Sequence, residues 1–231
     1  QMTCQHPGNR YIGYFQAYTN TYASVAELEQ KYTAVLDFPQ IAGISIATRP
    51  DCLPPEVLQL LKCLKQRYTD KFIWVELGLQ TIHEETAAFI RRGYPLSCFE
   101  EAVAALHPLQ IPVITHVILG LPDETATMQL QTISYLNTQP IWGIKLQLLH
   151  ILKGTDLGLL YEKEPYRYHS YETLEEYVSM VILCLEHLRP DLVVHRVTGD
   201  APKELLLSPM WSLDKRKVLN TLHHEMKIHE T

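Results

Sequence analysis

Polar side chains able to bind or position a ligand recur in this sequence wherever an apolar run ends. After "YIGYF" come Gln16, Thr19 and Asn20, and after "IAGISIA" come Thr48, Arg49 and Asp51. The run "FIWVELGL" carries Glu76 and is followed by Gln80, while "IPVITHVIL" carries His116 and enters the turn Gly120, Leu121, Pro122. A fifth run, "GIKLQLLHIL", offers Gln147 and His150, and a sixth, "LVVHRV", brings His195 and Arg196 just ahead of Asp200. Amides and hydroxyls donate and accept, carboxylates accept, and arginine presents a planar fork matched to a carboxylate or phosphate. A histidine inside an apolar strand such as "VITHVIL" must find polar partners, because a buried polar group left unpaired is costly. Each group alone reads as a solvated or paired side chain. Their recurrence at six run ends points to one shared site.

The elements that would position these groups alternate regularly. Ser24 stands at capping-box spacing from Glu27, and Val25, Leu28, Tyr32, Val35 and Leu36 follow at helical period. Pro54 and Pro55 start the helix "EVLQLLKCLKQR", since a first turn needs no amide partner. Two helices separate the third and fourth runs: "HEETAAFIRRG", ended by Gly93, and "SCFEEAVAALH", opened by a second capping box from Ser97 to Glu100. Further helices are expected over about 123–137, over 170–188 with Leu174, Tyr177, Val178 and Val181 on one stripe, and from about Asp214. The stretch around Pro165 reads as a tyrosine-rich loop.

Apolar strands spaced by amphipathic helices imply parallel strands covered by helices, with ligands at the carboxyl ends of the strands. The expected fold class is α/β, a partial (β/α)6 TIM-like barrel, because eight units usually need roughly 250 residues. A doubly wound open sheet has the same periodicity. The expected division is a barrel over 1–200 and a C-terminal helical extension over 201–231 packed upon it.

Composition narrows the function classes. The 231 residues, 46% hydrophobic, can bury a full core. Twenty basic against 26 acidic residues, net charge -6, argue against a broad nucleic-acid-binding surface but allow a local basic one. Apolar runs such as 111–121 are too short to span a bilayer, which reads as a cytoplasmic protein with no membrane partner. The five cysteines, Cys4, Cys52, Cys63, Cys98 and Cys184, are scattered without a Cys-x-x-Cys pair, so they read as reduced thiols and supply no metal cage.

Seven blocks in order, "YFQAYTNTYA", "SIATRPDCLP", "VELGLQT", "IRRGY", "HVILGLPDET", "LHILKGT" and "HRVTGDAP", resemble the radical S-adenosylmethionine (SAM) enzymes, specifically the YhcC-like family described as Fe–S oxidoreductases. The resemblance runs over essentially the whole chain. It implies a [4Fe-4S] cluster and SAM as cofactors, with reductive cleavage of SAM to a 5′-deoxyadenosyl radical, and an electron donor such as flavodoxin or ferredoxin. It implies that Gln16, Thr19 and Asn20 replace the glycine-rich loop that binds the SAM amino group, that Arg92 meets the SAM carboxylate, and that Glu76 and Gln80 meet ribose or nearby polar atoms. His116, standing where an acidic residue is frequent, is assigned to ribose or adenine, and Gly120 with Leu121 to adenine, glycine letting the backbone approach. Thr48, Arg49 and Asp51 are assigned to SAM or substrate. His150, His195 and Arg196 are assigned to the substrate side, and no catalytic residue is named.

One departure stands out. The family's three cluster cysteines precede the block matched by "YFQAYTNTYA", and Cys4 alone does not replace them. The expectation is that the first barrel strand and its cluster loop lie outside these residues, making "LVVHRV" an extra strand and leaving the fragment inactive; loss of the cluster is the alternative. Because neighbouring branches include the Elongator catalytic subunit, which acts on transfer RNA, a wobble uridine is the substrate carried forward. Two other readings remain: a metal-dependent barrel hydrolase using His116, His150, His195 and Asp200, and a non-catalytic SAM-binding homologue.

Overall fold

The computed structural model describes residues 10–16 and 18–228. Cys4, one of the sequence candidates, lies outside the described residues. Alternation of apolar runs and helices is realised as β1 (Tyr11–Phe15), α1 (Val25–Leu36), β2 (Ile41–Thr48), α2 (Pro55–Arg67), β3 (Phe72–Gln80), α3 (Glu84–Phe89), α4 (Leu96–Leu106), β4 (Val113–Leu119), α5 (Ala126–Asn137) and β5 (Gly143–Leu148). The remainder comprises β6 (Ile151–Leu152), α6 (Asp156–Lys163), α7 (Leu174–His187), β7 (Val193–Arg196), β8 (Leu206–Ser208) and α8 (Lys215–Ile228). Six strands form one sheet in the order β1-β2-β3-β4-β5-β7, and β6 pairs antiparallel with β8 in a second, two-stranded sheet.

The chain divides into two compact units. The first holds the residues up to Gly78, Tyr94–Thr115 and Pro140–Trp142. In it β1 pairs parallel with β2, and β2 with β3, so that Tyr14, Ser45 and Trp74 fall in one row across three strands. Leu28, Tyr32 and Leu36 of α1 and Val57, Leu60, Leu61 and Leu64 of α2 are buried with Ile44 and Ile46 of β2. Phe72 stacks on Trp74 at 4.0 Å, and Trp74 meets Trp142 at 4.7 Å, a cluster of large, half-buried rings.

The second unit holds Leu79–Gly93, His116–Gln139 and the chain from Gly143 onward. Here β7 pairs parallel with the start of β5. Helix α7 buries Leu174, Tyr177, Val178, Val181 and Cys184, and α8 buries Val218 and Leu222. Burial pushes the Cys184 thiol up to about 12, so it behaves as an apolar core group.

Three sequence expectations are corrected. The run 143–152 is not one strand: β5 stops at Leu148, and Ile151 and Leu152 pair with β8. Helix α4 starts at Leu96 behind Pro95, whose extended backbone serves as the cap, so Ser97 lies in the first turn and makes no cap bond. The stretch before Pro165 contains α6, capped by Thr155, which accepts from the Gly158 amide. Packing demands Gly158 in that helix: a Cβ there would come within 2.2 Å of the Leu152 carbonyl oxygen. At α1, Ser24 accepts from the Glu27 amide as its spacing implies, and α7 carries a full capping box between Thr173 and Glu176.

Candidate functional site

In the first unit the loop after β1 is pinned to β2 by Asn20. Its Nδ2 donates to the carbonyls of Phe15 at 3.0 Å, Tyr18 at 3.3 Å and Ala47 at 2.9 Å. Only the amide nitrogen can donate to carbonyls, so these bonds fix the rotamer and leave Oδ1 as the acceptor of the side chain. The Tyr32 hydroxyl on α1 donates to the Asn20 carbonyl at 2.6 Å, and Tyr18 takes a left-handed backbone, φ 60°. Thr19 is half-buried and Gln16 exposed. Thr48 at the end of β2 is buried with its hydroxyl 2.6 Å from that of Thr21, which donates onward to the Cys52 carbonyl.

Arg49 clamps Asp51 bidentately, Nε to Oδ1 at 2.9 Å and Nη2 to Oδ2 at 2.6 Å, and lies 5.1 Å over the Tyr94 ring. The guanidinium holds the Asp51 carboxyl below its usual range, and burial raises the neighbouring Cys52 thiol. Tyr94 is itself fixed, its hydroxyl donating to the Gly78 carbonyl. Glu76 on β3 is 3% exposed and receives Ser45 Oγ at 2.6 Å and Tyr14 OH at 3.0 Å. A carboxylate receiving hydroxyl protons from two other strands is well placed to accept a further one from a ligand diol.

In the second unit Gln80 ends β3 in a left-handed conformation, φ 67°, and its buried Oε1 finds no hydrogen-bond partner among the described residues. Backbone strain and an orphaned acceptor on one residue mark a site where a ligand donor fits. Arg92 is 7% exposed; it donates to the carbonyls of Leu79 at 3.3 Å and Thr81 at 2.7 Å and pairs with Glu84 at 2.9 Å, so it fastens the turn that follows Gln80. His116 Nδ1 lies 2.9 Å from Gln147 Nε2, which makes that ring nitrogen the acceptor.

Gly120 has φ +81°, and a Cβ on it would meet Ser170 Oγ at 2.6 Å and the Tyr171 ring at 2.9 Å. Its glycine requirement thus comes from backbone conformation and from Ser170 and Tyr171 filling the space beyond. The Gly120 amide donates to Gln129 Oε1 at 3.3 Å, and Tyr171 OH donates to the same oxygen at 2.7 Å. Leu121 is buried beside it. Glu124 accepts from the Thr81 hydroxyl, and burial raises its carboxyl above 4.5.

His150 follows β5 and contacts Ser212 Oγ at 3.1 Å; burial lowers its pKa below 6.5, with Asp200 pulling the other way. His195 does not join the strand ends. Register places Val193 opposite Gly143, and the His195 ring packs on Gly143, where a Cβ would come within 2.6 Å of it. Because β7 pairs only with the opening of β5, His195 stands by the amino end of that strand, whereas His150 lies beyond its carboxyl end. Arg196 pairs in register with Lys145 and is half-buried. Asp200 is held by Lys215 at 2.7 Å.

Sequence reasoning passed over Tyr14, Ser45, Gln129, Ser170 and Tyr171. Ser45 was recognisable by the criterion applied to His116, a polar residue inside an apolar strand. Among the described residues no group of three His, Cys, Asp or Glu side chains is placed to hold a metal ion. No helix among them is long and apolar enough to cross a membrane.

Comparison with known proteins bears on this geometry. Residues 3–136 match the model of the radical SAM superfamily, and residues 141–228 match that of the radical SAM C-terminal domain. An uncharacterised protein of Bacillus subtilis, YtqA, is 44% identical over 94% of this chain and 66% of its own length. YhcC of Escherichia coli is 36% identical over 87% of this chain and 64% of its own length. The chain therefore spans just under two thirds of these relatives. The archaeal Methanocaldococcus infernus Elp3 with an N-terminal deletion superposes with TM-score 0.79 over 97% of this chain and 55% of its own, at 16% identity. That likeness bears out the expected fold class, a partial α/β barrel of six parallel strands.

Proposed function

The chain belongs to the radical SAM superfamily, and on that premise we propose that it forms the SAM-binding part of a radical SAM oxidoreductase whose [4Fe-4S] ligands come from outside the described residues. The observation that carries the reading is Gln80, with a left-handed backbone and a buried Oε1 without a partner among the described residues. When bound, SAM supplies radical chemistry through its 5′-carbon; the protein binds, orients and excludes water.

Roles follow from what each side chain has to offer. Asn20 Oδ1, fixed by three bonds through Nδ2, accepts from the SAM ammonium, with Gln16 and Thr19 beside it. Arg92, a guanidinium whose planar fork matches a carboxylate, is assigned to the SAM carboxylate. Glu76 and Gln80 accept from ribose or neighbouring donors, His116 contacts ribose or adenine, and the peptides of Gly120 and Leu121 border adenine. Thr48, Arg49 and Asp51 face SAM or substrate, with His150 and Arg196 on the substrate side. His195, beside Arg196 on β7, is assigned to the substrate side with them.

For the substrate we propose transfer RNA with the wobble uridine as the reacting base, supported by likeness to the Elongator branch and by the exposed basic residues Arg216, Lys217 and Lys227 of α8. A flavodoxin- or ferredoxin-type protein is the proposed electron donor, the cytoplasm the proposed location, and 201–231 the proposed extension to a barrel over 1–200. The test is anaerobic reconstitution of the full-length protein with iron and sulfide. A brown product that releases 5′-deoxyadenosine from SAM under reduction, and loses SAM affinity in Gln80→Leu, is expected. A colourless product that neither binds nor cleaves SAM overturns the reading.

A further inference from the structure

Helix α8 has two unlike sides. One buries Val218 and Leu222. At 3.6 residues per turn, Arg216, Asn220, His223, His224 and Lys227 fall within about 100° of one another on the other side, with Lys217 at their margin, and all six are exposed. No carboxylate stands among them. Glu225, the acidic residue of the helix, is half-buried and turned away from this stripe, and Asp214 ahead of the helix accepts from the Lys217 amide at 3.0 Å. Lys215 also lies off the stripe, bound to Asp200 at 2.7 Å, whereas Arg216, Lys217 and Lys227 pair with no carboxylate among the described residues. In a chain of net charge -6, composition does not produce such a stripe. Like charges on one side weaken a helix rather than support it, so folding gives no reason for it either.

The make-up of the stripe selects its partner. A helix that lies on a membrane sinks its apolar side into the lipid boundary, but α8 spends that side within the protein, and Ile228 is the one large apolar side chain it exposes. Protein partners are held by aromatic and apolar anchors in a desolvated centre, and the stripe offers none. A nucleic-acid backbone needs no such anchor: its interfaces are polar and strongly positive. Guanidinium and ammonium groups meet phosphate oxygens with charge-assisted hydrogen bonds, and asparagine and histidine N–H groups add neutral ones. From Arg216 to Lys227 the stripe runs about 16 Å at 1.5 Å per residue, enough to meet several phosphates.

We infer that α8 is a docking helix for the phosphate backbone of a structured RNA, holding it by charge and contributing affinity rather than base selection. The inference rests on the proposed RNA substrate for the class of its partner, and on none of the SAM assignments.

A fluorescently labelled anticodon stem-loop RNA, titrated with the full-length protein by anisotropy at salt from about 50 to about 200 mM, tests it. The combined variant Arg216→Gln, Lys217→Gln and Lys227→Gln should bind about tenfold more weakly at the lower salt. Its slope of log K against log salt should be shallower by about 2, because each lost phosphate contact removes about 0.7 to 0.9. Stem-loops of unrelated sequence and equal charge should bind the parent equally well. The three side chains are exposed, so the melting temperature and SAM affinity of the variant should match those of the parent. A parent that binds no RNA, an unchanged slope in the variant, or binding of phosphatidylserine vesicles in place of RNA each overturns the inference. So does an equal loss in the charge-matched control Lys31→Gln, Lys62→Gln and Arg67→Gln, whose residues are exposed on α1 and α2. Salt-dependent RNA binding that α8 controls, without any reaction at the wobble uridine, would sink only the substrate reading; a modified wobble uridine with an unchanged slope in the α8 variant would sink only the docking helix.

Discussion

Ser45 Oγ donates to Glu76 Oε1 at 2.6 Å from the neighbouring strand, while Tyr14 reaches the other carboxylate oxygen at 3.0 Å from β1. One buried carboxylate thus ties three strands of the first unit. Ser45 is 3% exposed and Tyr14 40% exposed, so the serine bond is the better shielded. Ser45→Ala should cost about 2 kcal/mol, Tyr14→Phe about 1 kcal/mol, and Glu76→Leu, which strands both hydroxyls, about 3 kcal/mol. Urea unfolding of the three variants checks the order; equal costs for serine and tyrosine would contradict it.

Gly120→Ala forces a Cβ into a backbone at φ +81° and against Ser170 Oγ at 2.6 Å. Left-handed backbone costs an L-residue about 1–2 kcal/mol, and overpacking a similar amount, so a loss of about 3 kcal/mol is expected. Adding Ser170→Gly should recover part of the steric cost, leaving the conformational part and the contact with the Tyr171 ring at 2.9 Å. A double-mutant cycle by thermal unfolding reads the coupling between the two sites. Strict additivity would mean that Ser170 does not set the glycine requirement.

Much of the fold could be read from the local pattern, because β2 to β5 are near-continuous apolar runs and the helices between them bury one face. The elements that escaped were fixed by distant partners. Nothing near Ile151 signals pairing with Ser208, and the reason for Gly158 in α6, the close Leu152 carbonyl, is invisible in a helical pattern. The site divides the same way. Polar groups at strand ends were found by position, whereas Tyr14, Gln129 and Ser170 acquire meaning only from what they touch. The position of His195 depends on register, which the sequence does not state and which sets β7 against the opening of β5.

Glu124 is a charged group held against its preference. Burial raises its carboxyl above 4.5, the Thr81 hydroxyl only partly opposing this. A raised folded-state value means its contribution to stability is fully present below the unfolded value and lost as pH rises through the folded one. Glu124→Gln keeps an acceptor for Thr81 and removes the charge, so it should stabilise the protein at neutral pH. The gain should shrink to nothing below pH 4.5, as paired denaturation series at the two pH values would record.

His150 gives the opposite slope. Ser212 Oγ donates to the Pro209 carbonyl at 2.7 Å, so His150 Nε2 must donate to Ser212, and the neutral ring satisfies both. A second proton would fall on Nδ1, against Gly199, where a Cβ would lie 3.4 Å away. Burial lowers the pKa below 6.5; the charge of Asp200 favours the imidazolium, but that carboxylate is already paired with Lys215. A depressed value means the contribution of His150 is fully present above 6.5 and lost as pH falls through the folded value. His150→Gln retains a donor and cannot titrate. The stability difference between parent and variant should therefore be larger at pH 7.5 than at pH 5.5, and a difference independent of pH would show that the ring is not buried in its neutral form.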